Sequence, residues 1–279
     1  MTVHASPADL EIKPRPLFID RDAPTPRWWL NGDPYGTAVL NALSLTFPDG
    51  ERFFIQSVRR FAKDAPPHLA ADIRAFTAQE GAHTREHIAF NEITARAGYQ
   101  TAAIEAYVNA RLDVARARPA LAQLAATMAL EHFTAAFAHR LLADSAFLDG
   151  APDNLAQLWR WHSIEEIEHK GVAYDVFMHA ARNLSPWRRW SIRRWAMLLT
   201  TLLFTKTVRE TTLMLLKQDG ITGWKARLGL FRWLWLKPGL YRRMLGDYFA
   251  FYRPDFHPWQ VDDRDLIAEA EAGLQLQPA

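Results

Sequence analysis

Residues 161–170 read WHSIEEIEHK, which places two histidines and three glutamates between stretches that have the apolar periodicity of helices. Residues three positions apart lie on one face of a helix, so Glu166 and His169 can direct a carboxylate and an imidazole at the same point. The same Glu-x-x-His spacing occurs at Glu80 and His83, in the run EGAH. Both side-chain types bind first-row transition metals, so each pair is a candidate for part of a metal site.

Two single glutamates extend this pattern along the chain. The residues follow the order Glu51, Glu80, His83, Glu131, Glu166 and His169. The four groups are separated by 29, 51 and 35 residues. Consecutive groups are therefore one antiparallel helix apart. The largest gap, between the second and third groups, falls where a four-helix bundle with one long crossover connection has that crossover. The pattern predicts a site for two metal ions between four helices.

Each part of the pattern has a simpler interpretation when it is taken alone. A single Glu-x-x-His pair is commonly part of a solvated helix face, and Glu51 follows Gly50, where its charge would favour a helix N-terminus. Glu131 favours the metal interpretation, because apolar residues such as Met128 and Phe133 leave little polar surface around it. An unpaired carboxylate is costly to bury in such surroundings.

Four neighbouring residues are candidates for supporting roles. His162 lies one helical turn before the second Glu-x-x-His pair and could add a third imidazole ligand. His87 lies one turn after the first pair, where it could bind the same cluster or line the cavity as a hydrogen-bonded interior histidine. Gln79 and Glu165 are expected to orient a ligand histidine on the opposite helix. Glu168 is expected to be a solvated helix residue, and no catalytic group beyond the metal ligands is predicted.

Composition restricts both the fold and the metal chemistry. The chain has 279 residues, of which 49% are hydrophobic, and this is enough for a substantial core. It has no cysteine, which excludes disulfides, thiolate zinc sites and iron–sulfur clusters. Helical periodicity without β-alternation predicts an all-α protein with an N-terminal arm (1–33), a di-metal helical bundle (34–184) and a basic, Trp-rich helical extension (185–279).

Prolines and glycines predict where the helices of the bundle begin and end. The first helical stretch is expected to break at residues 48–50, which read PDG, and another break is expected at Pro119. A helix is expected to start at Pro66 and Pro67. The last helix of the bundle is predicted to run as one segment over residues 153–184.

The extension differs in charge from the rest of the chain. Residues 187–245 contain 13 Lys and Arg against two acidic residues, a balance of +11 that leaves −9 for the remainder. The run WAMLLTTLLF within it is too short to span a bilayer, but its flanking tryptophans and arginines suit a helix that lies in the membrane interface. A packed helical hairpin and a homodimer interface are alternatives, whereas the high apolar content argues against a nucleic-acid surface.

The N-terminal residues lack the charged and apolar regions of a signal peptide. The expected location is therefore the cytoplasm, with contact to the inner face of the membrane as a further expectation from the extension.

Over residues 34–184 the six ligand candidates resemble those of the ferritin-like di-iron carboxylate superfamily, and this resemblance implies a ferritin-like four-helix bundle followed by the helical extension. His162 is similar to the extra histidine of the arylamine N-oxygenases. The runs FTAQEGAHTREH, LEHFTAAFAHRLL and WHSIEEIEHKGVAYDVF resemble the bacterial family of predicted metal-dependent hydrolases.

The superfamily resemblance implies a non-heme di-iron oxidase or oxygenase that activates O₂ on an apolar organic or lipid-like substrate, with an electron donor if it is an oxygenase. Two iron ions are the implied cofactor; manganese or a mixed Mn/Fe pair also fits, and zinc fits less well. The alternatives are a di-metal hydrolase that uses a metal-bridging hydroxide and a non-catalytic, membrane-associated metal-binding protein.

Overall fold

The computed structural model describes residues 6–7, 9–17 and 20–274. Residues 1–5, 8, 18 and 19 of the predicted arm and residues 275–279 of the predicted extension lie outside the described residues. The described part of the chain is helical and contains no strand, which confirms the predicted all-α class. Its α-helices are α1 (Pro34–Arg59), α2 (Pro67–Arg96), α3 (Ala102–Arg116), α4 (Ala120–Ala143), α5 (Asp153–Glu168), α6 (Val172–Ala180), α7 (Pro186–Gln218), α8 (Gly223–Phe231), α9 (Leu240–Ala250) and α10 (Arg264–Ala272).

Helix α1 is continuous, and the predicted break at residues 48–50 is wrong. Pro48 lies inside the helix and has no N–H for the carbonyl of Ser44, one turn earlier. Asn91 of α2 replaces that donor, because its Nδ2 donates to the Ser44 carbonyl oxygen at 3.2 Å. Glu51 therefore lies within a long helix, and its interpretation as a helix N-terminal charge is also wrong.

The predicted single helix over residues 153–184 is also wrong, because α5 ends at Glu168 and α6 begins at Val172. A Cβ at Gly171 would clash with Ser6 of the N-terminal segment and would lie 3.0 Å from Trp259. The absence of a side chain at Gly171, between the two helices, gives these two residues room to pack against the bundle. The predicted break at Pro119 and the predicted start at Pro67 are confirmed by the bounds of α2, α3 and α4.

Helices α1, α2, α4 and α5 form the centre of the molecule. One group of buried apolar side chains, which includes Phe47, Phe90 and Trp159, fills one end of this bundle. A second group, which includes Phe53 and Phe76, fills the other end. The space between the two groups is occupied by the ionisable side chains of the predicted site.

The chain before α1 and after α6 packs onto this bundle. Arg15 is buried, and its carbonyl oxygen accepts a hydrogen bond from Trp161 Nε1 at 3.1 Å. Helix α7 lies against α1 and α4, and α9 lies against α4. Among the described residues, no helix combines the length and the hydrophobicity that a membrane crossing requires.

Candidate metal centre

Four helices bring the six predicted ligands together in the interior. Glu51 comes from α1, the first Glu-x-x-His pair from α2 and Glu131 from α4. Glu166 is on α5, and His169 follows directly after its last residue. All six side chains are buried, with at most 3% of any residue exposed. The helical spacing that paired these residues in the sequence therefore places them in one cluster.

One half of the cluster is formed by Glu80, Glu131 and His169. His169 Nε2 lies 3.2 Å from Glu80 Oε1 and 3.3 Å from Glu131 Oε2. One ligand atom from each residue falls within 4.8 Å of the others, a spacing that suits a single cation.

The other half is formed around His83. His83 Nδ1 lies 3.4 Å from Glu166 Oε1, and His162 Nε2 lies 3.2 Å from the same oxygen. Glu51 and Glu80 also group with His83 within 4.8 Å. Because Glu80 belongs to both halves, and Glu166 Oε1 is only 3.6 Å from His169 Nε2, these carboxylates lie between the two halves of the cluster.

The donor atoms of the cluster fit metal ions because they lack other partners. Eight buried atoms of these residues make no hydrogen bond within the described residues: Glu51 Oε1, Glu80 Oε1 and Oε2, His83 Nδ1, Glu131 Oε1 and Oε2, Glu166 Oε2 and His169 Nε2. Buried polar atoms without a partner are costly, and buried charges are normally paired or bound to metal. Carboxylates and imidazoles that converge in this way suit transition-metal cations.

The pKa values of these side chains in the protein without cations also favour metal binding. Burial raises the pKa of Glu51 to about 8 and that of Glu131 to about 7. Burial and the nearby charge of Glu131 raise the pKa of Glu80 well above its usual value. Burial opposes the charge on His83, but its hydrogen bond to Glu165 and the nearby carboxylates of Glu166 and Glu80 raise its pKa to about 10. The cluster retains protons that bound cations would displace.

The distal nitrogens of the two paired histidines are held by the predicted supporting residues. Glu165 Oε2 lies 3.0 Å from His83 Nε2, and Gln79 Oε1 lies 2.9 Å from His169 Nδ1. These contacts fix both rings and leave His83 Nδ1 and His169 Nε2 directed into the cluster. Such partners set the tautomer and orientation of metal-binding histidines.

A hydrogen-bond chain from Asn91 fixes the tautomer of His162. Ser44 Oγ donates its only hydrogen to Asn91 Oδ1 at 2.7 Å, so its contact of 2.9 Å with His87 Nδ1 must be accepted from the ring. His87 Nε2 is then the acceptor for His162 Nδ1 at 2.9 Å. His162 Nε2 consequently carries a lone pair toward Glu166, as a metal ligand requires.

His87 lies behind His162, although it also groups with Glu51 and His162 within 4.8 Å. Both of its ring nitrogens are engaged in hydrogen bonds, which suits the interior role better than metal binding. Sequence reasoning missed Ser44 and Asn91, because serine and asparagine within helices carry no metal-ligand signal.

The prediction that Glu168 is solvated is wrong. Glu168 is buried and forms two hydrogen bonds with Arg15, of 2.6 Å to Nη2 and 2.9 Å to Nη1. Gln79 Nε2 also donates to Glu168 Oε2 at 2.8 Å, which connects the N-terminal segment to the support of His169. Arg15 was missed because it is 153 residues away from Glu168 in the sequence.

Comparison with known proteins gives one result. A family model described as a predicted metal-dependent hydrolase matches residues 13–262, which include the Arg15 segment, the cluster and most of the extension. No curated protein and no solved structure matches the chain.

Proposed function

The chain belongs to the family of predicted metal-dependent hydrolases, and we propose that it is a dinuclear metal hydrolase that acts on an apolar organic substrate. The observation that supports this proposal most strongly is the cluster of buried carboxylate and imidazole atoms without hydrogen-bond partners. Two cations bound there would polarise a substrate oxygen and lower the pKa of water between them.

In this proposal the side chains of the protein hold the cations and exclude solvent. Glu80, Glu131 and His169 would hold one cation, and Glu51, His83 and His162 would hold the other, with Glu80 and Glu166 able to contribute to both. Glu51 Oε2 accepts a hydrogen bond from Thr84 at 2.9 Å, which leaves Oε1 for a cation.

Aromatic rings surround the cluster. The ring of Phe76 lies 4.9 Å from that of His169, Trp161 lies 5.0 Å from His83, and Phe47 stacks on His162 at 5.0 Å. Exclusion of water by these rings strengthens electrostatic interactions between the cations and a bound substrate.

A second candidate is a di-iron oxidase or oxygenase that uses O₂. The order of glutamates and Glu-x-x-His pairs on α1, α2, α4 and α5 favours it, because ferritin-like di-iron and di-manganese proteins present this ligand set. The additional imidazole of His162 also supports this candidate. Iron is the proposed metal in both cases, manganese or a mixed pair is compatible with the ligands, and zinc is the least favoured.

One set of measurements separates the two candidates. Metal content is determined on protein from cells grown with iron and manganese, followed by turnover of p-nitrophenyl esters of increasing chain length and of a phosphate diester without O₂. The hydrolase predicts turnover that does not depend on O₂ and is lost in Glu131→Ala. The exposed Glu92→Ala variant of α2 is the matched control.

The opposite results are equally specific. Uptake of O₂ and an optical change after anaerobic reduction, without ester or phosphate turnover, would overturn the hydrolase and support the oxidase. Protein that takes up no metal under any of these conditions would overturn both.

A further inference from the structure

A large apolar cavity lies beside the metal centre. Its volume is about 990 Å³, and it is lined by residues of α1, α4, α7, α8 and α9 and of the Arg232–Leu236 segment that joins the last two. Aliphatic and aromatic side chains form most of its wall, including Val39, Leu43, Phe137, Leu213 and Met244. A cavity of this size and character suits a ligand made mainly of hydrocarbon.

The inner end of the cavity lies next to the metal centre, and Phe47 contacts both. Phe47 lines the cavity and also stacks on the His162 ring, with an interplanar angle of 12°. Phe47 precedes Glu51 by one turn of α1, and Thr134, another wall residue, follows Glu131 on α4. Residues one turn apart share a helix face, so the cavity wall continues into the ligand cluster on two helices.

The outer end of the cavity opens at the surface of the extension. Three apolar wall residues are strongly exposed there: Leu202 (59%), Phe231 (51%) and Leu245 (36%). The exposed cations Lys206 and Arg227 also line this end. Exposed apolar side chains around a concave opening commonly mark a binding site.

We propose that this cavity binds the hydrocarbon chain of a lipid-like substrate, with the chain along α1, α4 and α7 and its reacting group at Phe47 beside the metal centre. The inference rests on the proposed function for the choice of reacting group, but the chain site itself does not need the metals. Because cations line the opening, we expect the chain to be taken up more readily from an anionic lipid surface than from a neutral one.

The test uses the metal-free protein, so that its outcome does not depend on hydrolysis. The probe is cis-parinaric acid, a fluorescent fatty acid that accepts energy from tryptophan, because Trp235 lines the cavity. We expect saturable energy transfer and displacement by unlabelled fatty acids, with affinity rising about fourfold for each added methylene until the cavity is filled.

Two substitutions on α7 provide the comparison. Thr205→Phe fills part of the cavity wall and is expected to weaken probe binding at least tenfold, whereas Leu199→Phe, at an exposed position outside the wall, is expected to change it less than twofold. Delivery of the probe from anionic and from neutral vesicles distinguishes a membrane source from free fatty acid. Circular dichroism of each variant verifies folding.

Absence of saturable transfer to the wild-type protein, or equal affinity of the two variants, would overturn the chain site. Short-chain ester turnover would survive that outcome, because it tests the metal centre alone. Conversely, chain binding without any hydrolysis would leave the cavity assignment intact and would refute the proposed reaction.

Discussion

The metal centre and the cavity region meet at Phe47 and depart from the usual distribution of polar and apolar groups in opposite ways. The centre buries glutamates and histidines that water would otherwise solvate. The cavity region instead exposes large apolar side chains, among them Leu202 and Phe231, which are 59% and 51% exposed. Both arrangements cost stability in the isolated chain, and such departures are expected where a protein is shaped for a ligand. In our proposals the two ligands are metal cations and a hydrocarbon chain.

The largest expected effect tests the centre alone. Glu131→Ala removes one carboxylate from the half of the centre that contains His169, and we expect the metal content to fall by at least half and ester turnover by more than about 100-fold. Parinarate binding should remain within twofold, because Glu131 does not line the cavity. Unchanged metal stoichiometry, measured against Glu92→Ala, would show that the ligand set is wrong.

A smaller effect is expected from the residue that holds His83. Glu165→Gln keeps the size of the side chain but weakens its hydrogen bond to His83 Nε2. Loss of such partners typically lowers metal affinity about 10- to 100-fold, and we expect the lower end of that range. Competition with a chelator measures the affinity, with Glu92→Gln as the control. Equal affinity in the two variants would refute the positioning role.

A third prediction concerns the pH dependence of the metal-free protein. Burial raises the pKa of Glu51 to about 8 and that of Glu131 to about 7, but it lowers the pKa of His162 to about 4 and that of His87 well below its usual value. The histidines oppose the glutamates until they are neutral in the unfolded state as well, so it is above about pH 7 that the folded state binds more protons than the unfolded state. The free energy of unfolding should therefore fall as the pH rises through this window. The raised pKa of His83, about 10, acts in the same direction above about pH 6.5.

Urea denaturation at about pH 7 and about pH 9 measures this dependence. The metal-loaded protein is the control, and its decline should be smaller because cations take the place of the protons. Stability of the metal-free protein that rises between these values would contradict the electrostatic account of the centre.

The smallest expected effect on stability comes from the exposed face of α7. Replacement of Leu199 and Leu203 by Gln should change the free energy of unfolding by less than about 0.5 kcal/mol per site, because both side chains are exposed. We expect the same variant to float less with anionic vesicles than the wild type. Val114→Gln on α3, which is also 55% exposed, is the control for a general loss of surface hydrophobicity. Equal flotation of both variants would argue against membrane contact by α7.

The two regions also differ in how far the sequence alone predicts them. Helical spacing placed Glu80, His83, Glu166 and His169 in pairs, and the long gaps assigned the groups to different helices, because local periodicity determines which residues share a face. The cavity could not be predicted in the same way. Its wall combines α1 and α4 of the bundle with α7, α8 and α9 of the extension. How these helices are rotated against one another depends on packing that periodicity does not encode.

Predictions from the local sequence were wrong at two residues whose surroundings are determined by tertiary contacts. The proline at position 48 predicted the end of a helix, but Asn91 supplied the missing donor from another helix. The sequence predicted that Glu168 is solvated, but Arg15 hydrogen-bonds to it and shields it from solvent. In both cases the deciding partner lies far away in the sequence, and nothing near the residue indicates it.

Pro48 has an influence that reaches well beyond the shape of α1. Because it leaves the Ser44 carbonyl free, the amide nitrogen of Asn91 turns to that carbonyl and its oxygen turns to the Ser44 hydroxyl. The hydrogen bonds then run in one direction through His87 to His162. The proline at position 48 thus determines which ring nitrogen of His162 carries the lone pair. The protonation pattern at the metal centre therefore depends partly on the backbone of α1.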